Sequence, residues 1–192
     1  MTGSFLSGGT IRKLWFTETQ KFRDHLLRLD AESRRLRFGS AVSEAFIETY
    51  AERSDRLKSV IYGFFPGRDM HAAAELRVIG DSWQGEAEAA FSVENDYQDA
   101  GIGTELLGRI ILSARNRGVS KLYMNCLAEN RKMQRIAKKY EADLYFDHGE
   151  VVGQLKPNYP TPLSIWSEAV DNSNGFVMAV LNFQLQSYGR AA

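Results

Sequence analysis

A short segment in the middle of the chain has the composition of an anion-binding turn. It lies between a β-rich run that ends near Val93 and a helical apolar stripe, and we call it the glycine loop: Gln98, Asp99, Ala100, Gly101, Ile102, Gly103 and Thr104. Glycines allow positive φ angles and a close approach of the backbone to a ligand. The unpaired amides of a first helical turn point outward beside a partial positive charge. The glycine loop therefore predicts a site for a phosphate or a pyrophosphate.

Two common phosphate-binding motifs do not fit the glycine loop. A Rossmann fingerprint requires a third glycine, and Leu106 occupies that position. A P-loop requires Gly-Lys-Ser or Gly-Lys-Thr, and no such sequence follows Gly103. Because any tight strand-to-helix turn also uses glycine, the glycine pair alone leaves a purely structural turn open as an alternative.

Two glutamates in the run before the glycine loop are candidates for acid–base chemistry. Strand alternation places Glu86 and Glu88 on one face with Ala90 and Ser92, whereas the other face is apolar. Small apolar neighbours would partly desolvate the Glu88 carboxylate and strengthen it as a base. Glu86 lies about 7 Å away on the same face, where it would bind a cationic substrate or contact solvent. The simpler alternative for Glu88 is a solvated surface carboxylate.

Hydrophobic periodicity predicts the elements that position these residues. The predicted strands are residues 10–16, 59–65, 70–79, 86–93, 121–127 and 144–152. Three helices follow the first strand, and Asp30 and Ser43 cap the second and the third of them. A helix follows the glycine loop, and Asn130 caps a further helix after the fifth strand. Short turns between the second, third and fourth strands predict an antiparallel meander.

Composition excludes several classes of protein. The chain has 192 residues, with 24 Lys and Arg against 24 Asp and Glu, so it lacks the basic balance of most nucleic-acid-binding proteins. Cys126 is the only cysteine, which excludes an internal disulfide and a zinc site built on paired cysteines. The three histidines are scattered, so we expect no metal site. We see no secretory signal and no membrane span, and we expect a cytoplasmic protein.

The glycine loop and its flanks resemble the GNAT superfamily of acyl-CoA N-acyltransferases. The loop matches the (Q/R)-x-x-G-x-(G/A) pyrophosphate motif, and the resemblance extends over roughly residues 11–152. The segments AEAAFSVENDYQDAGIG and AENRKMQRIAKKY are most similar to the bacterial branch that includes protein-lysine acetyltransferases. The resemblance implies an α+β fold, in which a mixed, mostly antiparallel sheet is flanked by helices and splays apart between two parallel strands.

The same resemblance implies a cofactor site and a general base. The backbone of Phe91, Ser92 and Val93 would pair with the pantetheine arm of acetyl-CoA, and the amides of the glycine loop would hold its pyrophosphate. Asn130 would touch the pantetheine arm or act only as a helix cap. Glu88 matches the glutamate that serves as general base in similar lysine acetyltransferases.

One departure from the family pattern leaves the general acid unassigned. Many relatives carry a tyrosine seven residues after the helix-capping asparagine, and this chain has Ala137 there. Tyr123, Cys126 and Tyr140 lie nearby in sequence, but none occupies the family position. A lone cysteine such as Cys126 is most often an inert buried side chain.

We therefore predict an acyl-CoA-dependent N-acetyltransferase that acts on a protein lysine or a small amine by direct attack in a ternary complex. Two alternatives remain: a catalytically silent acyl-CoA-binding module, and a protein-interaction domain that uses residues 166–183 as its surface. We expect residues 1–156 to form the catalytic domain and residues 157–192 an extension. The extension is rich in apolar residues, so it would pack on the domain or on the second subunit of a homodimer.

Overall fold

The computed structural model describes residues 8–53 and 58–173, and the structural statements below refer to these residues. Seven strands form one open sheet in the order β1-β2-β3-β4-β5-β7-β6. The strands are β1 (Thr10–Lys13), β2 (Ser59–Phe65), β3 (Ala72–Ile79), β4 (Glu86–Val93), β5 (Lys121–Leu127), β6 (Asp143–Asp147) and β7 (Glu150–Leu155). All neighbouring strands are antiparallel except β4 and β5, which are parallel.

Six α-helices accompany this sheet in the described part of the chain. They are α1 (Thr19–Arg28), α2 (Ala31–Phe38), α3 (Glu44–Glu52), α4 (Ile102–Asn116), α5 (Arg131–Lys139) and α6, whose described part is residues 162–173. The three predicted caps are confirmed, because Asp30, Ser43 and Asn130 each accept a hydrogen bond from a backbone amide three residues later. None of the described helices has the length and hydropathy needed to cross a bilayer.

The helices cover the sheet on both faces. On one face, α1 and α3 bury Phe22, Leu26 and Ile47 in a cluster with side chains from β2 and β3. On the other face, α4 and α5 bury most of the apolar stripes that the sequence predicted: Leu106, Leu107, Ile110, Ala114, Met133 and Ala137. The alternation of β4 follows from this arrangement, because its alanines Ala87 and Ala89 pack under α4 while Glu88 points away from it.

The parallel strands β4 and β5 separate along their length. Their pairing ends at Glu88 and Tyr123, although β4 continues to Val93 and β5 to Leu127. The gap between residues 89–93 and residues 124–127 is here called the splay. It confirms the fold that the resemblance implied, and it leaves backbone groups of both strands without a sheet partner on that side.

The sequence prediction was wrong for residues 144–152, which form a hairpin rather than one strand. β6 and β7 are antiparallel neighbours, and Asp147 pairs with Glu150. The two residues between them, His148 and Gly149, both have positive φ, at 42° and 90°. Two positive φ angles are typical of a tight type I′ turn, whose twist matches that of the flanking strands. The first strand is also shorter than predicted and ends at Lys13.

The described part of the predicted extension contacts the body of the protein through a buried carboxylate. Glu168 on α6 is 7% exposed and accepts hydrogen bonds from Ser113, Asn116 and Arg117 at 2.7–2.8 Å. Burial raises the pKa of Glu168, but these donors outweigh it and the net pKa is lowered. Trp166 on the same helix is 66% exposed.

The remainder of the extension, residues 174–192, lies outside the described residues. The domain boundary at residue 156 and self-association through the extension therefore stay predictions.

Candidate functional site

A cleft of about 380 Å³ occupies the splay between β4 and β5. Most of the predicted cofactor residues line this cofactor cleft: Phe91, Ser92, Val93, Gln98, Asp99, Gly101, Ile102, Gly103, Thr104 and Asn130. Ala100 belongs to the same loop but packs against the hydrophobic core. The structure thus brings residues from the end of β4, the glycine loop and the start of α5 to one place.

The glycine loop forms an uncapped helix N-terminus at the mouth of this cleft. Gly101 is the N-cap of α4 with φ 80°, and no side chain caps the helix. The left-handed region that Gly101 occupies is strained for residues with a Cβ atom. The amides of the first helical turn have no acceptor within the helix. The amides of Ile102, Gly103 and Thr104 are therefore available to an anion.

Cations on α5 complement this N-terminus. Lys132, Arg135 and Lys139 line the cofactor cleft at the spacing of one helix face. The Nζ atom of Lys132 lies 2.9 Å from the side-chain oxygen of Gln98 and 2.7 Å from the carboxylate of Asp99. These cations were not predicted from the sequence. Their spacing on a strongly amphipathic helix was the available signal.

The side chain of Gln98 holds the glycine loop in place through hydrogen bonds. Its amide nitrogen donates to the backbone oxygen of Val93 at 3.1 Å and to the side-chain oxygen of Asn95 at 2.9 Å. The side chain of Asn95 in turn donates to Asp30, the cap of α2. The loop is therefore tied both to the end of β4 and to α2.

A buried network lies behind the cofactor cleft. The Nδ1 atoms of His25 and His71 lie 2.9 Å and 2.7 Å from the carboxylate of Glu94, and His25 Nε2 lies 2.8 Å from the hydroxyl of Ser92. A carboxylate only accepts hydrogen bonds, so His25 Nδ1 donates to Glu94 and His25 Nε2 accepts the proton of Ser92. Burial lowers the pKa of His25, although the nearby Glu94 acts in the opposite direction.

The same network controls the ionisation of Glu94. Burial raises the pKa of Glu94, but hydrogen bonds from His25 and His71 outweigh it and bring the pKa to about 2. The histidines are scattered in the sequence, but the fold brings two of the three together, because His25 and His71 both contact Glu94. In residues 8–53 and 58–173, no group of three or more His, Cys, Asp or Glu side chains is arranged to hold a metal ion.

A second cleft of about 340 Å³, here called the polar pocket, adjoins the cofactor cleft. Glu88 lines the polar pocket together with side chains from α2, α3, β3, β5 and β7. The two clefts share five residues: Leu36, Arg37, Ala90, Asn125 and Cys126. A molecule bound in one cleft would therefore meet a molecule bound in the other at the splay.

The two candidate carboxylates have different surroundings. Glu88 is half-buried and accepts one hydrogen bond, from the side-chain amide of Asn125 at 2.9 Å. Glu86 lies 3.1 Å from the Nζ atom of Lys121 and accepts a hydrogen bond from Tyr123 at 3.0 Å. These two donors lower the pKa of Glu86. Glu88 is thus the carboxylate that remains available to a substrate in the polar pocket.

A second carboxylate lines the polar pocket, that of Glu75, and three side chains already donate hydrogen bonds to it. Glu75 is 2% exposed and accepts hydrogen bonds from Arg37 at 3.0 Å, from Arg77 at 2.8 Å and from the hydroxyl of Tyr50. Burial raises the pKa of Tyr50, which keeps this phenol protonated. This cluster was not predicted from the sequence, because its members come from three separate elements.

The structure also shows the contacts of the three residues that were considered as a general acid. Tyr140 donates to the backbone oxygen of Thr104 at 2.9 Å and joins α5 to α4, and Tyr123 donates to Glu86. Cys126 lines both clefts, and burial raises the pKa of its thiol. Asn130 caps α5 and lines the cofactor cleft, and its contact with the pantetheine arm stays a prediction.

Sequence comparison finds matches in the half of the chain that carries these clefts. The model of the acetyltransferase (GNAT) family matches residues 72–141, from β3 through the end of α5. Acetyltransferase Pat from Mycolicibacterium smegmatis is 41% identical over 56 residues, which are 29% of this chain and 17% of that relative. The chain thus matches less than a fifth of the length of this curated relative.

Structural comparison finds the same fold in solved proteins. The GNAT domain of S. lividans PAT superposes with a TM-score of 0.67 at 21% identity, covering 77% of this chain and 90% of that domain. The protein yncA from Salmonella typhimurium, solved with its cofactor acetyl-CoA, gives 0.59 at 16% identity, with 81% and 97% covered. The ribosomal-protein-S18-alanine N-acetyltransferase from Escherichia coli gives 0.58 at 20% identity, with 80% and 97% covered.

Proposed function

We propose that the chain, whose residues 72–141 match the model of the acetyltransferase (GNAT) family, transfers an acetyl group from acetyl-CoA to a primary amine. One observation carries this proposal: two clefts of different chemistry meet at the splay. One cleft offers unpaired amides and cations, which suit a diphosphate. The other contains Glu88, a carboxylate that accepts one hydrogen bond, from Asn125, and a carboxylate suits an ammonium group and its proton.

The residues of the cofactor cleft suit the diphosphate and the pantetheine arm of acetyl-CoA. The amides of residues 102–104 would bind the diphosphate, and Lys132 and Arg135 would balance its charge. The backbone of residues 91–93 borders the splay and would pair with the amides of the pantetheine arm, as an added strand does. Asn130 would contact the same arm. Bound acetyl-CoA supplies an acyl thioester to the junction of the two clefts.

Glu88 would act as the general base. An amine attacks a thioester only in its neutral form, so the carboxylate must take a proton from the ammonium group, directly or through a water molecule. The nitrogen then forms the amide bond while the carbon–sulfur bond breaks and the electron pair of that bond leaves on the sulfur, and the second proton that the nitrogen loses goes to solvent. Because Glu86 is paired with Lys121 and Tyr123, it is not proposed for this role.

The proposal assigns no protein acid to the departing thiolate. Tyr123 and Tyr140 donate their hydroxyl protons elsewhere. A thiolate is a weak base and a good leaving group, since the pKa of a free thiol is only about 8.5. It therefore leaves without a proton donor in the protein.

The test uses the whole chain, acetyl-CoA and a panel of acceptors that includes a lysine peptide and small primary amines. Free thiol and acetylated acceptor are measured together. We expect them to form in equal amounts, with initial rates that depend on both substrates as in a ternary complex. Acetyl-CoA binding without thiol release from any acceptor would instead indicate a silent acyl-CoA-binding module. A chain that binds no acetyl-CoA at millimolar concentration would indicate a protein-interaction domain.

A further inference from the structure

One face of β6 and β7 is uncovered in the described part of the chain, whereas α2 contacts β4 and β5. Helix α5 packs against β5, β6 and β7 from the side that buries Leu122, Met124 and Val151. The alternate residues point to the opposite side, which we call the open face. Asn125 is exposed there, and Tyr145 is 54% exposed.

Strand register defines the members of the open face. Glu88 is paired with Tyr123, Asn125 with Val152, Val152 with Tyr145, and Glu150 with Asp147, so these side chains lie on one side of the sheet. Within β4, β5, β6 and β7, this side carries five carboxylates and one lysine: Glu86, Glu88, Asp143, Asp147, Glu150 and Lys121.

The charge of the open face differs from that of the chain. The whole sequence balances 24 acidic against 24 basic residues, whereas these strands present an excess of negative charge on one side. Lys121 is already paired with Glu86, and the neighbouring Arg77 donates to the buried Glu75. The open face therefore attracts cations, and it does so most strongly at low ionic strength.

The open face is continuous with the polar pocket. Glu150, Asn125 and Glu88 belong to both, so the acidic track leads from the β6–β7 hairpin to the proposed base. Three strand spacings separate β4 from β6, a distance of about 14 Å. A free amino acid whose amine lies at Glu88 is too short to reach β6, whereas about four or more residues of an extended peptide span that distance.

We propose that the open face docks the acceptor, and that the acceptor is a protein segment in which the modified lysine has basic neighbours. This inference rests on the proposed acetyltransferase function. The lysine enters the polar pocket, and its basic neighbours lie over Asp143, Asp147 and Glu150. Tyr145 and Val152 give the segment apolar contact area between these charges. β6 is an edge strand, so its outer backbone groups are also available to an extended segment.

The test compares two peptide acceptors of equal length, one with arginines beside the lysine and one with serines there. In the whole chain, we expect a higher kcat/KM for the arginine peptide, through a lower KM, and a loss of this preference as salt is raised. Asp143→Asn combined with Asp147→Asn should lower kcat/KM for the arginine peptide about fivefold and leave the serine peptide unchanged. Charge reversal of both residues to lysine should lower it further.

The matched control changes two exposed carboxylates elsewhere. Glu48→Gln combined with Glu52→Gln on α3 removes the same charge and should leave both peptides unaffected. Equal rates for the two peptides, or equal losses in the β6 variant and the control, would overturn the docking proposal while acetyl transfer itself persisted. A change in oligomeric mass in the β6 variant without a change in peptide preference would also overturn it. Failure of every acceptor with acetyl-CoA bound would instead reject the acetyltransferase function.

Discussion

The cofactor cleft and the polar pocket lie side by side but are built in different ways. The longest continuous contribution to the cofactor cleft is residues 89–104, which supply backbone groups and a helix N-terminus, and the rest of the lining comes from α2, β5 and the start and face of α5. The polar pocket is formed by side chains from α2, α3, β3, β4, β5 and β7. Backbone groups are present whatever the side chains are, so the first cleft tolerates substitution except where a Cβ atom intrudes. The second cleft depends on individual side chains.

The largest expected effect comes from changing the polar pocket alone. Glu88→Gln keeps the size of the side chain but removes its ability to take a proton. We expect kcat to fall about a hundredfold or more, since a positioned general base contributes at least that much. The affinity for acetyl-CoA, measured by calorimetry, should not change.

Glu86→Gln is the matched control for this substitution. Its carboxylate is one pleat away but paired with Lys121, so we expect less than about a threefold change in kcat. Equal losses in the two variants would show that charge on this face matters and that Glu88 is not the base.

The next effect comes from changing the cofactor cleft alone. Gly103→Asp places a carboxylate at the N-terminus of α4, where the diphosphate would bind, and its Cβ atom would lie 3.0 Å from Ile136. We expect the Kd for acetyl-CoA to rise about thirtyfold, since repulsion between anions adds to the loss of space. Gly67→Asp makes the same change in an exposed turn with open space around it, and should bind acetyl-CoA normally.

A smaller effect tests the cations of α5. Lys132→Ala removes one cation from the cleft mouth, and we expect the Kd for acetyl-CoA to rise about fivefold and to depend less steeply on salt. Lys138→Ala removes an exposed lysine of the same helix that does not line the cleft. If both variants lose affinity equally, the effect comes from general charge and not from the position of Lys132.

The smallest effect concerns the buried network behind the cofactor cleft. Burial lowers the pKa of His25 in the folded protein, so below about pH 6.5 the unfolded chain binds a proton that the folded chain does not. The contribution of His25 to the free energy of unfolding is therefore fully present above this pH, and it decreases as the pH falls below it. We expect Tm to drop by a few degrees between pH 7.5 and pH 5.5.

His25→Gln should show a shallower pH dependence of Tm over the same range, because the titrating group is gone. His148→Gln, at an exposed turn, should keep the wild-type dependence. Below pH 4.5, His148→Gln and the wild type should lose further stability as Glu94 approaches its pKa of about 2. Parallel Tm curves for His25→Gln and the wild type would contradict the placement of a neutral His25 in this network.

The difference between the two clefts also explains what the sequence could predict. The glycine loop is contiguous, so its composition and its position between a strand and a helix predicted an anion site. The helix caps Asp30, Ser43 and Asn130 were predictable for the same reason, because a cap and the amide it binds are three residues apart.

The polar pocket and the buried network could not be predicted in this way. Arg37, Tyr50 and Glu75 meet only after α2, α3 and β3 have packed, and their spacing in the sequence carries no period. His25 and Glu94 are 69 residues apart. The β6–β7 hairpin is a different case. The sequence Asp147-His148-Gly149-Glu150 contains a glycine at the turn, but residues 144–152 were predicted as one strand.

Backbone amides at the start of α4 are proposed to bind the diphosphate of acetyl-CoA. Calorimetric titration of the whole chain with acetyl-CoA and with S-acetylpantetheine, which has the same thioester and arm but no diphosphate, tests this proposal directly. We expect acetyl-CoA to bind and S-acetylpantetheine to bind at least about a hundredfold more weakly. Equal affinities for the two compounds, or no binding of acetyl-CoA, would contradict the claim.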